Sequence, residues 1–170
     1  MNRLVLKAVI PYLSVLLLGL ASFSPGAKAV NIGIVFDGPS DINDKALGAY
    51  KKEISDLTEG EFTVRFPEDK IITADWTTTG VQEAIDRQLT DPGEDILITH
   101  GLIGSTDIAV RSGLPKPAIA PWVIDPVLLG LSPSEGGGSG VRNLYYLSKP
   151  KILGRDIRRF RDVVGFKKMT

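Results

Sequence analysis

Four short segments hold most of the residues that could do chemistry: Asp37–Ser40, Trp76–Thr79, His100–Thr106 and Asp125–Leu128. The third is the richest. Ser105 and Thr106 follow Gly101 and Gly104 and stand where a helix is expected to start. Glycines let backbone come close to a ligand. The free N–H groups and dipole of a helix start favour a carboxylate or another anion, to which the two hydroxyls would add directional bonds. Ser105 also suits an N-cap, and the two roles are compatible. Asp37 could accept a bond from a ligand amine or hydroxyl, or it could serve the turn that Ser40 closes. Trp76 could stack on a ligand ring, whereas Trp122 reads as core. His100 is the only histidine in the chain. It could touch a ligand or act as a general base, but alone it is a poor basis for a zinc site. With Asp125 from the fourth segment, the candidate ligand-binding set is Asp37, Ser40, Trp76, His100, Gly101, Ser105, Thr106 and Asp125. No metal ligand set, no catalytic set and no cofactor is expected.

These segments are candidates because of the elements that precede them. Ile32-Gly-Ile-Val-Phe36 reads as a buried strand over 31–36. Asp41 or Asn43 then caps a helix over roughly 43–57, with Leu47, Tyr50, Ile54 and Leu57 at helical spacing. Phe62, Val64 and Phe66 alternate as in a strand, which Ile71-Ile72 extends or flanks. A helix begins at Thr77–Gly80, where Thr79 and Gln82 have capping-box spacing, and Val81, Ala84, Ile85 and Leu89 form its apolar face. Asp95–Thr99 is a short apolar strand of the kind buried on both faces of a parallel sheet. The next helix runs from near Ser105 to Gly113, with Pro115 and Pro117 beyond it. Residues 118–124 form a strand that Pro121 makes irregular or places near an edge. The flexible loop Gly136–Gly140, a strand over 143–147 and a helix over 152–164 follow, the last with Leu153, Ile157, Phe160 and Val164 on its buried side.

Alternating strands and helices predict an α/β fold with a doubly wound parallel sheet in the flavodoxin-like order 2-1-3-4-5. Ligands of such sheets bind beyond the carboxyl ends of the strands, and that rule selects the four segments above.

The amino terminus looks like an export signal. Arg3 and Lys7 precede an apolar stretch from Ala8 to Phe23, and Ser24-Pro25-Gly26 breaks it. Ala27-Lys28-Ala29 then offers small residues at −3 and −1, so cleavage after Ala29 is expected and the mature chain begins at Val30. Three of the 20 basic residues and none of the 20 acidic ones fall in that segment, leaving 17 against 20, a net −3. No basic field for nucleic acid covers most of the chain, although Lys149 to Lys168 is strongly basic. The absence of cysteine excludes disulfides, thiolate catalysis and a lipidated cysteine. After Val30 no apolar run could span a bilayer, so no stable membrane insertion is expected once the signal is removed. There is no G-x-x-x-x-G-K-[ST] loop, no G-x-G-x-x-G after the first strand and no G-x-S-x-G elbow. Those absences favour binding over catalysis.

The export signal, the run Asn31-Ile-Gly-Ile-Val-Phe-Asp-Gly-Pro-Ser40, the amphipathic helix after it and Asp95-Ile-Leu-Ile-Thr-His-Gly101 together resemble the amino-terminal lobe of type I periplasmic binding proteins, the substrate-binding components of ABC transporters. The likeness is one of pattern over most of the mature chain, and no single motif in it is diagnostic. It implies residues 1–29 as signal peptide, 30–150 as the first lobe and 151–170 as the start of a second. It implies a small polar solute, an amino acid or other small carboxylate being favoured, held in an interlobe cleft without catalysis. Ser105 and Thr106 match the place that holds the ligand carboxylate in amino-acid-binding relatives. The implied partners are the solute and the membrane subunits of the transporter, and the implied location is the periplasm. A full member needs roughly twice this length, so a truncated gene, a fragment or half of a split protein is expected. Two other classes compete: a periplasmic sensory or adaptor domain using the basic end helix, and a small flavodoxin-like enzyme using His100.

Overall fold

The computed structural model describes residues 29–131, 138–148 and 152–168, with side chains from residue 154 onward in the last stretch. The expected export signal up to residue 28, Gly136 and Gly137 of the glycine-rich loop and the side chain of Leu153 therefore lie outside what is described. The elements in chain order are β1 (Val30–Phe36), α1 (Asn43–Thr58), β2 (Val64–Arg65), β3 (Ile71–Thr73), α2 (Thr78–Thr90), β4 (Ile96–His100), α3 (Leu102–Ala109), β5 (Gly113–Val123), β6 (Arg142–Ser148) and α4 (Ile152–Val164).

The sheet is parallel throughout. Its order is β2-β1-β4-β5-β6, with β3 also paired to β1. Counting β2 and β3 as one broken strand, this is the expected 2-1-3-4-5 order. The break has a local cause. Pro67 has no N–H to give the ladder, and a 3-10 turn over Glu68–Lys70 steps the chain forward. β2 thus pairs the start of β1, at Val30 and Asn31, and β3 pairs its end, from Ile34 to Phe36.

Alternation along the strands builds two cores. Ile32, Ile34, Phe36 and Ile98 face α1, where Leu47, Tyr50 and Ile54 pack on them. Val35, Leu97, Ala118, Ala120 and Leu144 face Val81, Ala84, Ile85 and Leu89 of α2 and Ile108 of α3. Leu57, expected on the apolar face of α1, is exposed instead. On the far edge strand, Tyr145 and Leu147 are also exposed.

Three helix and strand boundaries differ from expectation. Thr77 caps α2 by accepting from the Gly80 N–H at 2.9 Å, so Thr79 does not cap; Gln82 instead donates to Asp107. α1 begins after Ile42 with no side-chain cap from Asp41 or Asn43, and Asn43 turns its amide back to the Gly38 carbonyl. Helix α3 ends at Ala109, and Gly113 opens β5, which carries Pro115, Pro117 and Pro121 inside the sheet. The prolines are accommodated by register shifts against β6 on either side of Ala118–Ala120. The apolar residues Ile157, Phe160 and Val164, expected on a buried side of α4, are exposed. No described helix is long and apolar enough to cross a membrane.

At the amino pole of the sheet, Lys116 donates to the carbonyls of Gln88, Asp91 and Glu94 at 2.8, 2.6 and 2.9 Å. It thereby satisfies carbonyls at the end of α2 that the helix leaves open. Lys116→Met should cost about 2 kcal/mol in a urea titration, since charged donors to backbone are worth about 1.5–3 kcal/mol. An unchanged midpoint would contradict that role.

Candidate functional site

The four candidate segments meet at the carboxyl pole of the sheet. Across adjacent strands, the ends of β3, β1, β4 and β5 present Trp76, the Asp37–Ser40 turn, His100–Gly101 and Trp122.

Asp37 is buried, and its task is structural. One carboxylate oxygen accepts the Ile103 N–H at 2.7 Å and the other the Gly104 N–H at 2.9 Å. It caps α3 across the sheet. The amides expected to be free for a ligand carboxylate are therefore occupied by the chain's own. Gly101 is needed here. Its φ of +146° suits glycine, and a Cβ there would lie 2.2 Å from the Asp37 carboxyl carbon.

Helix α3 starts at Leu102, not near Ser105, so Ser105 is no N-cap. It is fully buried, donating to the Thr99 carbonyl at 3.0 Å and accepting the Trp122 N–H at 3.2 Å. Its hydroxyl ties the end of β4 to the backbone of Trp122 and would have to break those bonds to meet a solute. Thr106 lies half-buried in the same helix. Asp125 accepts the Val127 and Leu128 N–H groups and so shapes its own turn. Ser40 is exposed, and its hydroxyl lies 3.5 Å from the Ile42 N–H that it accepts.

Trp76 stands out. It is 56% exposed yet held in the left-handed region, with φ +66°, which is costly for a bulky side chain. Its N–H donates to the Asp37 carbonyl at 2.8 Å and its indole N–H to the Pro39 carbonyl at 3.3 Å. The ring covers Gly38 so closely that a Cβ there would come within 2.5 Å of it. Trp122, expected in the core, is 51% exposed. It lies at the carboxyl end of β5.

His100 sits between these tryptophans. Its ring meets those of Phe36, Tyr50 and Trp122 edge-on at 5.1, 5.5 and 6.0 Å. Nδ1 lies 2.8 Å from the Tyr50 hydroxyl. Burial lowers the His100 pKa, partly opposed by the Asp37 charge, and burial raises that of Tyr50. Both groups are thus neutral near pH 7. A neutral imidazole that accepts the phenol proton at Nδ1 carries its own on Nε2. Tyr50 was legible only as an apolar position on α1, and nothing in its spacing marks the hydroxyl for His100.

The single imidazole allows a direct check. Its proton resonances should titrate with a midpoint below the usual 6.5, and a midpoint above it would contradict the packing around the ring. The chain matches no protein-family model, no curated protein and no solved structure.

Proposed function

We propose that this chain is a non-catalytic solute-binding lobe, acting after export to the periplasm as part of the substrate-binding component of an ABC transport system. The carboxyl pole is one wall of the cleft, and a small polar solute is its ligand. The likeness to type I periplasmic binding proteins is an analogy of fold and pattern, so the weight rests on the site. The observation that carries the proposal is Trp76. A half-exposed indole fixed in strained backbone by three contacts costs stability that a structural role alone does not return. It stands where parallel α/β sheets hold their ligands. His100 supports binding over turnover: its described partners are aromatic rings and a phenol, an arrangement that orients the ring.

A thermal-shift screen of small solutes tests this. Expected is a compound that raises Tm for the wild type, does so less for Trp76→Ala, and is recovered unchanged by mass spectrometry. Chemical conversion of the compound would favour the enzyme reading. No stabilising compound would contradict solute binding.

A second reading has its own observation. Phe160, Val163 and Val164 are exposed on α4 among Arg155, Arg158 and Arg159, as on a helix that docks to an acidic partner. Pull-down that vanishes on reversing the three arginines would favour an adaptor.

A further inference from the structure

Resting on the solute-binding reading, we propose that the carboxyl pole selects an organic cation with a flat or compact apolar body, of which an aryl-alkyl ammonium is the simplest. Three features of the pole support this.

The usual anion position is filled. The first-turn amides of α3 are bonded to Asp37, and the approach of Gly101 and Gly104 to that carboxylate, at 2.2 and 3.2 Å from their would-be Cβ atoms, leaves no space for a second anion. The positive end of the helix dipole is spent on an internal charge.

The charge in the loops and helix starts that follow β1, β3 and β5 is negative. Asp41 and Asp44 lie at the start of α1, Asp75 before α2 and Asp125 after β5, with Asp37 beneath them. Lys45 is the only base in the described loops and helix starts that follow β1, β3, β4 and β5; Arg155 stands in the first turn of α4, beyond the edge strand β6. The bases Lys70, Lys116 and Arg142 stand at the opposite pole, before β3 and at the beginnings of β5 and β6. An anion approaching the tryptophans would meet carboxylates, and an ammonium would be drawn in.

The exposed apolar surface at the pole includes two indoles, beside the aliphatic Ile42, Leu102, Val127 and Leu128. Trp76 and Trp122 mark the two ends of a row across four strands, with His100 between them. At about 5 Å per strand the row is about 15 Å long. The face of an indole attracts cations through its quadrupole, and more so where water is partly excluded.

The test is calorimetry of the whole protein at about pH 7 with a matched pair of probes, phenethylammonium and phenylacetate, which share a ring and differ in charge sign. Phenethylammonium should bind about tenfold more tightly or better, with the ratio shrinking at about 0.5 M sodium chloride. Trp122→Ala should weaken it about fivefold, and Asp41→Asn or Asp44→Asn about twofold each, in variants whose circular dichroism matches the wild type. Equal or tighter binding of phenylacetate would overturn the cation preference while leaving solute binding intact. No heat with either probe would also overturn it; solute binding itself falls only if the thermal-shift screen returns nothing that depends on Trp76.

Discussion

Replacing Asp37 by alanine should lower stability by about 3 kcal/mol or more, one of the largest effects of any single substitution in this chain. The carboxylate accepts two backbone N–H groups at the start of α3, and its residue is 3% exposed. Its loss leaves two donors unpaired, one buried and one part-buried, at about 1–3 kcal/mol each. For a domain of this size that corresponds to a fall in Tm of about 10 °C. Asp37→Asn keeps one acceptor oxygen but aims an amide at the second N–H, so it should fall in between. Gly101→Ala attacks the same contact from the other side, by placing a methyl on the carboxylate in backbone that disfavours side chains. Sulfate should stabilise Asp37→Ala more than wild type, because the vacated amides are an anion site. A urea midpoint for Asp37→Ala within about 1 kcal/mol of wild type would mean that the cap is not what holds α3.

The second large effect is a dependence of stability on pH set by Glu94. Its residue is 4% exposed, neither carboxylate oxygen has a hydrogen-bond partner, and a Cβ on Gly33 would run into it at 1.9 Å. Lys116 approaches to 3.9 Å, but its ammonium is spent on three carbonyls. Burial outweighs the pull of Lys116 and Lys70, with Asp91 adding to the rise, and lifts the pKa from 4.5 to about 7. The folded state therefore holds this proton more tightly than the unfolded chain. Its contribution is complete below 4.5 and is lost as pH rises through about 7. The loss is on the order of 3 kcal/mol, because each unit of pKa difference is worth about 1.4 kcal/mol. Glu94→Gln should remove this slope, nearly matching wild type at low pH and exceeding it in urea stability above neutrality. Parallel stability curves for the two proteins across that window would contradict it.

The order of elements was legible because two periods carry it. Val35 and Leu97 alternate with Ile34 and Ile98, and Val81, Ala84, Ile85 and Leu89 recur at helical spacing. The loops at the carboxyl pole followed from topology alone. What could not be read depends on contacts distant in sequence. Asp37 caps a helix whose amides lie 66 and 67 positions away, so the local signals near Ser105 suggested a later start. The prolines of β5 look like breakers locally, yet pairing on both sides with β4 and β6 carries the strand past them. Glu94 follows Asp91-Pro92-Gly93, a solvent-turn sequence, and its burial depends on the distant Gly33 and Lys116 that approach it. Trp122 has a core composition and strand context, but its place at the strand's end decides its exposure.

The most direct measurement is a two-dimensional NMR spectrum titrated with phenethylammonium and with any compound that the stability screen returns. The chain has two tryptophans, hence two indole N–H signals, and both rings stand at the carboxyl pole. If this pole is the ligand surface, both indole signals should move together with the amides of Gly38 and Gly101, while those of β6 and α4 stay in place. Shifts confined to β6 or α4, or unmoved indoles at saturating compound, would contradict solute binding at the carboxyl pole.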